Sequence, residues 1–153
     1  MVRQLGEAER LAPEDESPYV LEEQVGHILR RAHQRASAIF MEWMASNRLT
    51  PTQYAALIKI RDLSEVSQNR LGRLIAMDPA TIKGVVERLK DRNLVVAQSD
   101  PTNRRRLILT LSSDGLALAE EAIPLAREIT TATLAPLDKA EQKLFLNLLQ
   151  RLT

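Results

Sequence analysis

The chain of 153 residues contains no cysteine, only five glycines and few aromatic residues, which make up 3% of the sequence. The absence of cysteine excludes disulfides, thiolate nucleophiles, cysteine-ligated metals and a thiol-based redox sensor. So few glycines leave little room for a phosphate-binding loop. No apolar run is long enough for a transmembrane helix, and the first residues lack the apolar stretch of a signal peptide, so we expect a cytoplasmic protein.

Net charge is also nearly absent from the chain as a whole, which carries 21 basic and 20 acidic residues. This balance hides a difference between segments. Residues 1–23 contain two basic and seven acidic residues, whereas residues 68–106 contain nine basic and four acidic residues. Such asymmetry within one chain suggests a site for a charged partner. We interpret residues 1–18 as a mobile acidic tail, because they are polar and show no period.

Apolar residues then repeat at helical spacing. A long first helix is predicted from Tyr19 to about Trp43. A second helix has clear start signals, because Thr50 can cap it, Pro51 suits its first position and Gln53 completes a capping box.

A pair of shorter helices follows. We predict that Ser64–Val66 is a short break and that Ser67 caps a third helix. Asp78 is predicted to cap a fourth helix, which has Pro79 at its first position. This helix should end near Asn93, a residue type that tolerates the left-handed conformation.

The period then changes from helical to alternating, which predicts two strands at 94–99 and 106–112. The turn sequence Asp100–Asn103 lies between them. We therefore expect a β-hairpin with Arg104, Arg105 and Arg106 at its tip. Two further helices are predicted to begin near Ser112 and Asp138. Pro124 is expected to kink the first of these rather than to stop it.

The central order of elements, two helices followed by a hairpin, is a winged helix-turn-helix in a mainly α fold with a small β-hairpin wing. The second helix of such a pair fits a major groove, and a basic hairpin can reach the neighbouring minor groove. We predict DNA contacts from the recognition helix, from the start of the third helix (phosphates) and from the wing. On the recognition helix these residues are Pro79, Ala80, Thr81, Lys83, Gly84 and Arg88. At the start of the third helix they are Gln68, Asn69, Arg70 and Arg73. On the wing they are Asn103, Arg104, Arg105 and Arg106. The alternative is that these side chains form only a solvated face.

Four motifs resemble the MarR-type winged-helix regulators: Ser67–Leu74, Leu89–Val95, Asp100–Arg105 and Leu111–Gly115. The resemblance covers the chain from about residue 20 to its end. Three positions depart from the usual pattern of that family. Asn103 replaces the usual Asp of the wing and cannot form a salt bridge with arginine, which leaves the rigidity of the wing open. Asn93 replaces a Gly, and Gly72 replaces an Ala at a cost of about 1 kcal/mol in helix propensity.

The resemblance implies a homodimeric transcriptional regulator, more often a repressor, that binds a pseudo-palindromic operator in double-stranded DNA. It also implies a small-molecule effector, such as an aromatic acid or another anion, that releases the DNA; an acyl-CoA thioester is a further candidate. On this basis we expect a helical dimerisation region over residues 19–48 and 113–153, and a DNA-binding lobe over residues 49–112.

Candidate effector residues lie on the first helix and near it. His27, Arg30 and Arg31 could hold a carboxylate or phosphate, and Trp43 with Tyr54 could line an aromatic pocket. The alternative is that the cations are solvated and that Trp43 is part of the core. His27 and His33 lie on opposite helix faces with no acidic cluster beside them, so we expect no metal and no cofactor.

Two other functions, a protein-interaction module and an enzyme, are alternatives to DNA binding. A winged helix can act as a protein-interaction module whose basic hairpin meets an acidic partner, and strong salt dependence with sequence preference would distinguish DNA binding from this. An enzyme has no positive feature in the sequence, since no catalytic triad order and no metal-hydrolase motif occurs.

Overall fold

The computed structural model describes residues 18–153, so the prediction of a mobile acidic tail falls outside the described residues except for Pro18. Within residues 18–153, a 3₁₀ turn at Leu21–Glu23 precedes six α-helices and three strands. The elements are α1 (Val25–Trp43), α2 (Pro51–Leu63), β1 (Glu65–Ser67), α3 (Gln68–Leu74), α4 (Pro79–Asp91), β2 (Val95–Asp100), β3 (Asn103–Leu111), α5 (Ser113–Leu134) and α6 (Lys139–Gln150).

Local capping fixes the starts of the helices, as the sequence predicts. The hydroxyl of Thr50 accepts a hydrogen bond from the backbone N–H of Gln53, whose side chain bonds back to Thr50 N and so completes a capping box. Ser67, Asp78 and Ser112 each cap the following helix, and the last helix has its own capping box. The exception is α1, which begins at Val25 rather than near Tyr19, because the extended backbone of Gln24 separates it from the 3₁₀ turn.

The three strands form one antiparallel sheet in the order β1-β3-β2. The prediction of a plain break at Ser64–Val66 is wrong, because residues Glu65–Ser67 pair with Thr110–Ile108 of β3. Strand β3 begins at Asn103, three residues earlier than predicted, and only Pro101–Thr102 form the turn. The three wing arginines therefore lie on the first residues of a strand and not at the tip of a loop.

One aliphatic core joins the helix-turn-helix to the helices around it. Its fully buried side chains include Met44 of the α1–α2 connection, Leu57 and Ile60 of α2, Leu71 of α3 and Leu109 of β3. Helix α4 contributes four buried residues to the core: Ile82, Val85, Val86 and Leu89. Because these residues recur at helical spacing, the opposite face of α4 is left in solvent.

The start of α5 lies against the end of α4. Ser112 N donates to Leu94 O at 3.1 Å, and the Ser112 hydroxyl donates to Asn93 O at 2.6 Å. Asn93 has the left-handed conformation expected for it, with φ of 56°. A Cβ on Gly115 would lie 2.0 Å from Leu94 O, so only glycine permits this approach. Helix α5 continues through Pro124, as predicted.

Helix α6 contrasts with the rest of the fold, because none of its residues is buried. Its large apolar side chains Leu144, Phe145, Leu146 and Leu148 are exposed, as are Val25, Ile28 and Leu29 of α1. These seven residues are called the uncovered apolar face below. Within residues 18–153, no helix is both long and apolar enough to span a membrane.

Candidate nucleic-acid interface and effector cavity

Helix α4 exposes the predicted base-reading residues. Pro79, Ala80, Thr81, Lys83 and Arg88 are exposed, and Gly84 is partly exposed. Ala80 and Gly84 lie nearly opposite the buried stripe, whereas Thr81 and Lys83 lie on the two flanks of the exposed face. Over the first two turns the centre of this face is therefore low and its polar groups stand at either side, whereas the exposed Glu87 lies at the centre about one turn further along.

The carboxylate of Asp78 caps the first turn of α4. Asp78 Oδ1 accepts a hydrogen bond from Thr81 N at 2.9 Å, and Asp78 Oδ2 accepts one from the Thr81 hydroxyl at 2.7 Å. These hydrogen bonds from Thr81 hold the pKa of the Asp78 carboxyl below its usual value. Asp78 is consequently ionised at neutral pH and fixes the side chain of Thr81.

Helix α3 is held close to α4 at Gly72. A Cβ on this buried glycine would lie 3.1 Å from Met77 O and 3.2 Å from Ile82 Cγ2. Met77 N also donates to Gly72 O at 2.8 Å, and Ala76 takes a positive φ of 53° to make the turn. The glycine that replaces the usual Ala is thus matched to a tight turn between the two helices. Gln68, Asn69, Arg70 and Arg73 lie along α3, and all except the partly exposed Gln68 are exposed.

The wing turn is held by Asp100. Its Oδ1 accepts hydrogen bonds from Thr102 N and the Thr102 hydroxyl, at 2.8 Å and 2.7 Å, and its Oδ2 lies 3.6 Å from Arg106 Nε. The hydrogen bond from the Thr102 hydroxyl is the main cause of the lowered pKa of Asp100. Asn103, which replaces the usual Asp of the wing, accepts a hydrogen bond from Arg105 N at 3.1 Å. The wing therefore contains an ion pair, between Asp100 and Arg106, although Asn103 cannot form one.

Most cations of α3, α4 and the wing lack an acidic partner. Within the part of the chain that the structure describes, Lys90 pairs with Glu87 and Arg106 pairs with Asp100. Among the same residues, none of the following forms a salt bridge: Arg70, Arg73, Lys83, Arg88, Arg104 and Arg105. Exposed cations without internal partners are available to phosphates.

Arg92, which the sequence analysis did not select, ties the end of α4 to the α1–α2 connection. Its guanidinium donates to Arg48 O at 2.6 Å and to Asn47 O at 3.1 Å. The buried Asn47 side chain donates in turn to Glu121 of α5 at 2.9 Å. Helix α4 is therefore linked to α5 through polar contacts. Two of the acceptors are backbone carbonyls, which carry no sequence signal.

A cavity of about 610 Å³ lies between α1, the end of α5 and α6. Its lining is mainly apolar and includes Phe40, Ile129 and Phe145, with His33 and Arg35 as basic residues. The Arg35 guanidinium donates to Thr133 O at 2.5 Å and to Ala132 O at 3.3 Å, so it is held at the end of α5. This places a cation in a largely apolar pocket.

None of the five predicted effector residues lines this cavity. Arg30 and Arg31 are exposed on α1, and His27 Nδ1 lies 3.4 Å from Arg30 Nη2. Trp43 is exposed by 39%, so it is not a core residue. Tyr54 is partly buried against Phe40, with ring centroids 5.6 Å apart, and burial raises its pKa. The structure does not bring the five together, and their role stays a prediction.

Comparison with known proteins supports a regulator. The MarR family model matches residues 49–107. The chain is 43% identical over 141 residues to the HTH-type transcriptional repressor NicR of Pseudomonas putida, a match that covers 92% of this chain and 89% of that protein.

Two solved structures have the same fold. A probable transcriptional regulator from Pseudomonas aeruginosa is 48% identical, with a TM-score of 0.84 over 88% of this chain and 100% of that one. Bordetella bronchiseptica BpsR, described for the regulation of its DNA binding by 6-hydroxynicotinic acid, is 42% identical, with a TM-score of 0.84 over 89% of this chain and 97% of that one.

These matches confirm the fold class predicted from the sequence, a mainly α winged helix-turn-helix with a small β-sheet. They also confirm the resemblance found in the four motifs. The family is one of transcriptional regulators rather than enzymes. The chain belongs to the MarR family of transcriptional regulators.

Proposed function

We propose that the protein is a repressor that binds a pseudo-palindromic operator as a homodimer and releases it when a small aromatic acid binds. The observation that carries the DNA-binding part is the set of exposed cations on α3, α4 and the wing that have no acidic partner among residues 18–153. In this proposal α4 enters the major groove, the start of α3 contacts phosphates and the wing arginines reach the minor groove. Residues 49–112 form the DNA-binding lobe, and such a function implies a cytoplasmic location.

Fluorescence anisotropy on DNA from the promoter region of its own gene, compared with a scrambled duplex, tests this directly. A regulator that neutralises roughly 6–10 phosphates should lose about 10³–10⁵ in affinity between 50 and 200 mM salt and should prefer the promoter DNA. Lys83→Ala should change base preference, whereas Arg104→Ala should weaken binding to all sequences. Absence of binding at low salt would instead favour a protein-interaction module.

The dimer is supported by the uncovered apolar face on α1 and α6. An amphipathic helix of 12 residues with no buried side chain gains little tertiary stability from residues 18–153 of a single copy of the chain. A second copy, related by a two-fold axis, would cover this face with the same residues of its own chain. Residues 19–48 and 113–153 then form the dimerisation region, and the half-sites lie about one helical turn of DNA apart.

Analytical ultracentrifugation of two matched variants tests the dimer. Leu148 on α6 is 46% exposed. Leu74 on α3 lies outside the proposed dimerisation region and is almost as exposed, at 45%. We expect Leu148→Asp to shift the protein to monomer, because it places a charge in the covered face, and Leu74→Asp, the matched control, to leave a dimer. A dimer of unchanged affinity in Leu148→Asp would contradict the proposed interface.

The effector site is proposed to be the cavity between α1, α5 and α6. Its apolar walls suit an aromatic ring, and Arg35 offers a cation for a carboxylate. The similarity to BpsR suggests a hydroxynicotinic acid or a related compound. A thermal-shift screen should include 6-hydroxynicotinic acid, other aromatic acids and acyl-CoA thioesters, because a ligand of the native state raises Tm. Loss of the shift in Arg35→Ala but not in Arg31→Ala would favour the cavity, and the reverse would favour the residues predicted from the sequence.

A further inference from the structure

The hydroxyl of Thr81 has a fixed hydrogen-bond polarity. An ionised carboxylate can only accept, so the 2.7 Å contact between Thr81 Oγ1 and Asp78 Oδ2 must use the hydroxyl proton of Thr81. Asp78 is kept in its ionised form by this bond and by the bond from Thr81 N. The lone pairs of Thr81 Oγ1 remain, and the residue is exposed on one flank of the recognition face.

Base edges in the major groove differ in the polarity that they offer. Guanine presents the acceptors N7 and O6, and thymine presents the acceptor O4 with a methyl group. Cytosine and adenine present an amino group, at N4 and N6 respectively. An oxygen that can only accept is attracted to the amino groups and repelled by the acceptors. The negative charge of Asp78 beside it acts in the same direction.

Resting on the proposed DNA-binding function, we propose that Asp78 fixes Thr81 as a hydrogen-bond acceptor that selects an amino group of cytosine or adenine in each half-site. Lys83, on the opposite flank of the face, has only donors and would select acceptors, which are N7 and O6 of guanine, O4 of thymine and N7 of adenine. The two flanks of α4 then read base edges of opposite polarity. Sequence preference would arise at the Thr81 position without any arginine contact.

Functional-group substitution in the operator tests the assignment. The operator is first selected from random duplexes with the wild-type protein, and each half-site adenine is then replaced by purine and each cytosine by 2-pyrimidinone, which lack the amino group. For the wild type we expect one position at which the loss of the amino group weakens binding roughly 3- to 10-fold per half-site. The base found at that position, adenine or cytosine, shows which of the two amino groups Thr81 contacts.

The Thr81→Val variant keeps the shape of the side chain but has no hydroxyl. It should bind the natural operator about as weakly as the wild type binds the altered one, and it should show no further loss when the amino group is removed. Thr131→Val on α5, whose hydroxyl bonds only to Arg127 O of its own helix, is the matched control and should behave as the wild type. Urea unfolding of each variant verifies that the fold is retained.

Asp78→Asn tests the role of the carboxylate. Asparagine still caps the helix through its oxygen, but its amide nitrogen can donate to Thr81 and free the hydroxyl proton. The discrimination against the amino-free operator should therefore shrink towards that of Thr81→Val. If the protein shows sequence preference but Thr81→Val still loses affinity on amino removal as the wild type does, the assignment of Thr81 is wrong and the proposed function stands. If no duplex is preferred over random DNA, the proposed function itself fails, and this assignment fails with it.

Discussion

Replacing Gly84 by alanine should stabilise the free protein and weaken its complex with DNA. Gly84 lies within α4, where glycine costs about 0.5–1 kcal/mol relative to alanine. A Cβ at this position would meet only Arg88 Nη1, at 3.6 Å, which is an ordinary contact with a flexible side chain. Nothing in the folded chain therefore offsets the gain, and we expect about 0.5–1 kcal/mol more stability per subunit.

The same methyl group should interfere with DNA. Gly84 lies nearly opposite the buried stripe of α4, at the centre of the face that we assign to the major groove. A glycine at such a point lets backbone approach a ligand closely. We expect Gly84→Ala to weaken operator binding about fivefold or more, which corresponds to about 1 kcal/mol.

Urea unfolding measures the stability of the sample, and operator titration measures its affinity for DNA. All variants are compared at one protein concentration, because the stability of a dimer depends on concentration. Gly26→Ala on α1 is the matched control, because a Cβ there would meet nothing within 4 Å. It should not change operator affinity. Gly84→Ala with unchanged operator affinity would refute the placement of this face against the bases.

Three further outcomes are expected. Gly115→Ala should destabilise the protein by several kcal/mol in urea unfolding, because its Cβ would overlap Leu94 O at 2.0 Å. Arg92→Ala should lower the free energy of unfolding by about 1–3 kcal/mol, because two carbonyls of the α1–α2 connection lose their donor, and a lysine there should restore only part of it. The lowered pKa of Asp100, caused mainly by the Thr102 hydroxyl, stabilises the fold above the unfolded-state pKa of about 4. The stability of the wild type relative to Asp100→Asn should therefore shrink as the pH falls below about 4.

The sequence predicts those features that local chemistry determines. The caps at Thr50, Ser67 and Asp78 are confirmed, because each depends on residues within one helical turn. The short strand β1 was not predicted, because three residues are too few to show a period and their partner lies some 40 residues along the chain. Its pairing with β3 also anchors the wing to α3, since Ser67 both ends β1 and caps that helix.

The residues of the candidate site also fall into those that the sequence could predict and those that it could not. The exposure of Thr81 and Lys83 follows from the helical period of the buried stripe, so the sequence could predict which face of α4 is exposed. The contacts of Arg92 could not be found, because its partners are backbone carbonyls, which any residue supplies. Likewise, Arg35 belongs to the cavity only because the end of α5 returns to α1, which is a property of the tertiary fold.

Among residues 18–153, two surfaces lack partners within the chain, and the two kinds of missing partner have different physical meanings. On α1 and α6 the exposed groups are apolar, and their exposure to water costs free energy. Contact with another apolar surface of matching shape removes this cost. On α3, α4 and the wing the exposed groups are cations, which water tolerates, so their exposure alone identifies no partner. What makes the cations informative is their position around the low first turns of α4, whose geometry is held by Asp78 and Gly72. A solvated face needs no such fixed geometry, whereas the reading of a base edge does.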